Sequence, residues 1–195
     1  MHELSDLIRQ ARRSSRTRAL AFATAAVCGD LQQLARTAKL LSGSEDWRLA
    51  MLACTRQRPS AHVRRVFRQF WIKRGDSIRC EVGNDLALIA ALRKLLPPYK
   101  GPGKRLFRSD SAKNRKRRTY GMSWSAQMSV AESFALGTMR HCEGGTVLLV
   151  TDAEPDEILC RIPARHSDEA EYVVDRRRLR AVRVVARFPQ ADWLA

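Results

Sequence analysis

The sequence predicts an α+β protein, with a helical first half and a strand-rich second half. Three observations carry this expectation. Apolar residues recur at helical spacing through residue 96. Pro and Gly then crowd "PPYKGPGK", residues 97–104, and no apolar period crosses it. Beyond that stretch the segments become short, β-branched or aromatic, and polar turns bound them. Strands with one helix among them, and no alternating βαβ rhythm, argue against a doubly wound sheet. The expected division is a helical module at 1–98 and a strand-rich domain at 99–195.

Taken in order, the first half opens with a segment near 3–13 and an Ala-rich one near 16–28. "DLQQLARTAKLLSG" has a cap signal at Asp30 and a stop at Gly43. "EDWRLAMLACTR" ends before Pro59. "SAHVRRVFRQFWIKRG" places Val63, Val66, Phe67, Phe70 and Trp71 on one face. Its Arg64, Arg65 and Arg68 share the opposite face, which is either solvated or laid against nucleic acid or an acidic partner. "NDLALIAALRKLLPP" is capped at Asn84 and stopped by Pro97 and Pro98. Short helices with brief connections predict a small bundle. In the second half, "RLFRS", "TYGMSW", "GTVLLVTDA", "EILCRI", "EYVVD" and "LRAVRVVARF" predict strands. The helix among them is "SVAESFALG", with an apolar face of Ala131, Phe134 and Ala135.

Composition narrows the function classes. The chain has 195 residues, 45% hydrophobic and 29% charged, which is globular rather than disordered. The longest apolar run, "ALAFATAAVC", is shorter than the roughly 20 residues of a membrane span. "MHELSDLIRQARR" is mixed-charge and lacks the apolar core of a signal peptide, so a cytoplasmic protein is expected. The five cysteines have no metal-ligand spacing and sit in apolar contexts, so they read as small buried side chains rather than a metal site. No Walker loop, GxGxxG or zinc-deaminase pattern occurs. The net charge is +16. Residues 1–98 carry 18 Lys/Arg against 8 Asp/Glu, and residues 99–195 carry 18 against 12. Such an excess attracts nucleic acid or another polyanion.

Three short stretches carry the chemistry. In "HSDEAEYVVD", Glu169 and Glu171 stand two apart at the start of a strand, so they project to one side about 6–7 Å apart. Two carboxylates so placed can divide labour, one orienting a sugar hydroxyl and one accepting a proton. "LFRSD" puts Arg108 at the end of a buried strand, where a guanidinium needs a partner and its fork suits a pyrophosphate or carboxylate. "YGMSWSA" offers Ser123 and Ser125 on one side of a strand end and Trp124 on the other, ahead of a helix. Between the last two stretches lies "SAKNRKRRTY", the densest basic run, which is either a solvated loop or a grip on a phosphate backbone or the phosphates of NAD. Its Tyr120 is placed to stack on a base or on nicotinamide, or else to pack on the core.

Arginine on a first strand, Ser-x-Ser before a helix and Glu-x-Glu opening a late strand form an ordered set. In this the second half resembles the ADP-ribosyltransferases of the arginine–serine–glutamate type, related to cholera-toxin-like and arginine-specific bacterial enzymes. The first 96 residues take no part in the match. The resemblance implies a split β-sandwich of two packed small sheets and NAD as the substrate, with no metal. It implies that Arg108 binds the phosphate and nicotinamide-ribose region and that Ser123 contacts that ribose. Ser125 would fix the rotamer of Glu171, Glu171 would hold the ribose 2′-hydroxyl, and Glu169 would face the acceptor. Trp124 stands where many relatives have Thr, and is expected to pack.

The implied activity is transfer of ADP-ribose from NAD to a protein arginine or to RNA or DNA, with release of nicotinamide. A bacterial or prophage toxin neutralised by a partner protein fits that type. Two alternatives stand beside it, an NAD glycohydrolase on the same fold and an inactive nucleic-acid-binding protein.

Overall fold

A computed structural model describes residues 2–163 and 170–191. The chain divides into two compact units, Met1–Pro97 and Pro98–Ala195. The first is all helical among the described residues and the second is built on an antiparallel sheet. The α+β class expected from the sequence is therefore the class observed.

The helical unit holds α1 (His2–Cys28), α2 (Leu31–Leu41), α3 (Trp47–Thr55), α4 (Ala61–Val82) and α5 (Asp85–Leu95). The two segments expected before residue 28 are one helix, because no Gly or Pro interrupts that stretch and Ser14 and Ser15 are tolerated within it. Asp30 caps α2, accepting from the backbone N–H of Gln32 at 2.8 Å and Gln33 at 3.1 Å. Asn84 caps α5 through Ala87 N–H at 3.0 Å. α4 runs beyond the stretch 60–75 read as helical from the sequence, to Val82. Gly75 is there for space rather than as a break, since a Cβ would lie 2.8 Å from the Trp71 ring.

Phe22, Trp47 and Phe70 form the centre of this core, with Phe22 edge-on to Trp47 at 5.1 Å. Glu81 ties α4 to the α2–α3 connection, accepting from Trp47 Nε1 at 2.8 Å and Gly43 N–H at 3.0 Å. Arg68 departs from the expected solvent-facing basic stripe. It is buried, and its Nε finds no hydrogen-bond acceptor among the described residues.

The second unit contains β1 (Lys104–Ser111), α6 (Ala112–Arg117), β2 (Ser123–Ser125), α7 (Met128–Leu136), β3 (Thr146–Ala153), β4 (Ile158–Arg161), β5 (Glu171–Val174) and β6 (Arg183–Phe188). Each expected strand is present; β1 is longer than expected, β2 is reduced to the end of its segment and reaches Ser125, the others are trimmed, and the basic run 111–120 supplies the short α6 rather than a loop throughout. α7 buries Ala131 and Ala135, while Phe134 is partly exposed, so the apolar face is narrower than expected.

The described strands form one sheet in the order β4-β5-β2-β1-β3-β6, all neighbours antiparallel. The expectation of two separate packed sheets is corrected accordingly. A trace of division remains at the middle. β1 and β3 pair along eight residues, whereas β1 and β2 share a single register pair, Phe107 with Ser125. β3 is buried on both faces, as a strand inside a covered sheet must be. One face carries the core of Leu106, Trp124, Val147, Leu149 and Tyr172, which Tyr120 and Leu179 join. On the other face α7 packs against β1, where the Ser109 hydroxyl donates to the Ala131 carbonyl.

Candidate functional site

Beyond the Phe107–Ser125 pair the middle strands diverge, and Arg108 enters the gap. It alternates onto the face of Leu106 and Asp110. Its Nη1 donates to the Ser123 carbonyl at 2.6 Å, taking the place of a missing ladder bond. Its Nε donates to Asp110 Oδ2 at 2.8 Å. The Arg108 side chain retains 21% of its exposure and that of Asp110 only 1%, so the cation reaches solvent while its counter-charge does not.

Asp110 organises this region, and the sequence reading assigned it no role. Besides Arg108 it accepts from Gly121 N–H at 2.9 Å, Ser111 N–H at 2.9 Å and Asn114 Nδ2 at 2.7 Å. Burial alone would raise its pKa. The Arg108 charge and the bonds from Arg108, Gly121 and Asn114 outweigh burial and hold the carboxyl below the usual value. The signal in the sequence was an Asp two residues after an Arg on one strand, which puts both on the same face. Gly121 completes the arrangement by lacking a side chain. A Cβ there would lie 1.9 Å from Arg108 Nη2.

The serine and glutamate elements meet on the other face. β2 and β5 pair so that Ser125 opposes Glu171, Trp124 opposes Tyr172 and Ser123 opposes Val173. Opposed residues share a face, so Ser123, Ser125 and Glu171 project together while Trp124 and Tyr172 enter the core. Ser123 and Glu171 are half-buried, and Ser125 is 7% exposed. Ser125 Oγ accepts from Gln127 N–H at 2.9 Å, closing the turn into α7. Ala170 precedes Glu171 at φ +45° and its carbonyl accepts from Ala126 N–H at 3.1 Å. A left-handed non-glycine residue there turns the chain sharply into β5.

Of the residues named from the sequence, Ser123, Ser125 and Glu171 thus share one face. Arg108 reaches the same strand from the gap, through backbone rather than through those side chains. Tyr120 needs correction as a cofactor-binding residue. It is 2% exposed, edge-on to Trp124 at 6.3 Å, and its hydroxyl accepts from Arg115 Nη1 at 3.2 Å, so its ring is committed to the core. Trp124 packs as expected, its Nε1 donating to the Gly121 carbonyl at 3.1 Å. Glu169 lies outside the described residues. Among the described residues no three His, Cys, Asp or Glu side chains gather as a metal site would require. No described helix is long and apolar enough to cross a membrane.

The helical unit has an open cavity of its own, about 270 Å³, with Phe70 in its lining and Lys39, Lys73 and Arg74 beside it. Comparison of the chain with protein-family models, with curated proteins and with solved structures found no match.

Proposed function

We propose that the strand-rich unit transfers ADP-ribose from NAD to a nucleophile and releases nicotinamide. One observation carries the reading. The guanidinium of Arg108 lies in the gap beside β2, and the next strand sets Glu171 directly opposite Ser125. A cation held on β1 and a carboxylate set by register on β5, with β2 between them, suit a substrate that has a diphosphate at one end and a developing positive sugar at the other.

In this reading the bond between nicotinamide nitrogen and ribose C1′ breaks, and its electron pair leaves with neutral nicotinamide. The acceptor forms the new bond to C1′ and gives up a proton. Glu171 stabilises the positive charge that grows on the ribose, much as carboxylates do in glycoside hydrolysis. Ser125 positions Glu171, and Ser123 is available to the ribose. Arg108, held by Asp110, offers its partly exposed edge to phosphate oxygens. Preorganisation by the sheet means these groups need not reorient as charge develops.

The test is nicotinamide release from NAD, followed by chromatography. The wild type should release it, and Glu171→Gln should lower the rate about 10²–10³-fold while keeping its circular dichroism. A wild type that releases none, or a Glu171→Gln protein with full activity, would overturn the reading. Free ADP-ribose as the sole product would assign water as the acceptor.

A further inference from the structure

We propose that α6 and the turn after β5 form a surface that binds the phosphodiester backbone of a nucleic acid, and that this nucleic acid is the acceptor of the transfer. The second clause rests on the transferase reading, whereas the first stands without it.

The observation is a convergence. Two basic runs far apart in sequence, 113–118 and 176–180, come together in the fold. Arg176 Nη1 donates to the Arg118 carbonyl at 2.6 Å, and Arg115 Nη2 donates to the Val182 carbonyl at 3.3 Å. Arg115 is spent internally, over the Tyr120 ring at 6.0 Å and on its hydroxyl, and so fastens α6 to the core. That leaves Lys116, Arg117, Arg118 and Arg180 exposed, with no acidic partner among the described residues. The acids nearby are already engaged. Asp175 is buried against Arg177, Asp156 pairs with Arg178, and Glu143 lies 4.0 Å from Lys113.

The backbone that carries the α6 cations is also held in place. Arg118 caps α6 in the left-handed region at φ +55°, its N–H bonded to the Asn114 and Arg115 carbonyls. A charge run on such a frame presents a fixed spacing to phosphates, which an extended mobile tail does not. Position supplies the link to chemistry. Asn114 of α6 donates to the same Asp110 carboxylate that holds Arg108. A polyanion lying on this surface therefore passes beside the proposed NAD site. A positively charged arginine substrate would be repelled there, and a nucleotide attracted. A base nitrogen of that nucleotide would attack ribose C1′ and lose its proton, with nicotinamide departing as before.

The test begins without NAD. Anisotropy measures binding of the full chain to labelled single-stranded RNA, DNA of the same sequence and an RNA duplex across a salt series, with polyglutamate as competitor. The variant K116E/R117E/R180E is set against R36E/R48E/R58E, which removes equal charge from exposed positions of the helical unit. Thermal melts confirm that both fold. The patch variant should flatten the slope of log affinity against log salt by about 2 on a single strand, as expected for three phosphate contacts, and the control should keep the wild-type slope. Equal loss in both variants, loss in neither, or polyglutamate binding as tight as RNA would each overturn the surface.

Labelled NAD is then added to protein and nucleic-acid pools. Label on RNA or DNA supports the acceptor assignment and tells the two apart. Nicotinamide release with label only on protein removes that assignment and leaves the transferase reading intact. No nicotinamide release removes the transferase reading and leaves the binding result standing.

Discussion

Ser125 and Glu171 lie directly opposite each other across the antiparallel pair of β2 and β5, next to the buried Trp124–Tyr172 pair at its centre. Register thus sets the two side chains as cross-strand neighbours on one face of the sheet. Ser125→Ala should lower nicotinamide release about tenfold or more and shift the acidic limb of the rate profile to higher pH. A carboxylate that loses a hydrogen-bond donor is protonated more readily. Ser125→Thr, which keeps the hydroxyl, should restore the limb. An unshifted profile in Ser125→Ala would show that the serine shapes only the turn into α7.

Asp110 makes a pH prediction. Its carboxyl in the folded protein lies below the ordinary value, with burial opposed by Arg108 and the hydrogen bonds. As pH falls, the unfolded chain binds the proton first. The stabilisation is therefore complete above about pH 4 and drains away below it. Asp110→Asn should cost about 3 kcal/mol near neutrality by leaving Arg108 without its buried counter-charge. The gap between the wild type and the variant should narrow in acid. Denaturant unfolding from pH 7 to pH 2 checks it, and parallel curves would contradict it.

Gly121 tests the packing of the Arg108 guanidinium. Its φ is not in the left-handed region, so an alanine there meets a steric problem rather than a backbone one. Gly121→Ala should destabilise by about 1–3 kcal/mol and lower activity with it. In an Arg108→Met background much of that cost should vanish. A double-mutant cycle measures the coupling, expected at about 0.5 kcal/mol or more for groups in contact. Strict additivity would mean that the side chain meets something other than the guanidinium.

The cysteines separate by accessibility. Cys28 and Cys80 are exposed, against the sequence expectation that all five are buried, while Cys54 and Cys160 are buried and Cys142 lies between. Burial pushes the Cys54 thiol up to about 12, so almost none is thiolate at neutral pH. A thiol reagent should modify Cys28 and Cys80 quickly in the native protein, and Cys54 only after denaturant. Rapid reaction of Cys54 would show that the helical core opens.

The sequence made the elements of both units legible where periodicity and punctuation agree. Asp30, Asn84 and the Pro97–Pro98 pair act as caps and stops because their chemistry is local. The segment before residue 28 was harder, because weak helix formers such as Ser14 and Ser15 look like a break and are only a small cost. Arg68 was misplaced because a face defined by charge need not be the face left uncovered. In the site, the Ser-x-Ser and Glu-x-Glu spacings indicated a shared side of each strand, but only the register reveals that Ser125 meets Glu171. Tyr120 was ambiguous because an aromatic at a strand end has the same signature whether it packs or stacks. Asp110 was passed over because its partners Gly121 and Asn114 contribute a backbone N–H and a neutral amide, which leave no mark in a charge pattern.

The donors to Asp110 all come from residues no more than eleven positions away. Closing so short a loop costs little chain entropy, so the holder of Arg108 can assemble ahead of its surroundings. The carboxylate of Glu171 depends on a strand that the ribosome delivers much later. In a refolding experiment with pulsed deuterium labelling, the Gly121 amide, bonded to Asp110, should gain protection before the Val174 amide, bonded to the Met122 carbonyl. The holder of Arg108 is thus a local product of the chain, and the register that sets Glu171 is a late arrival.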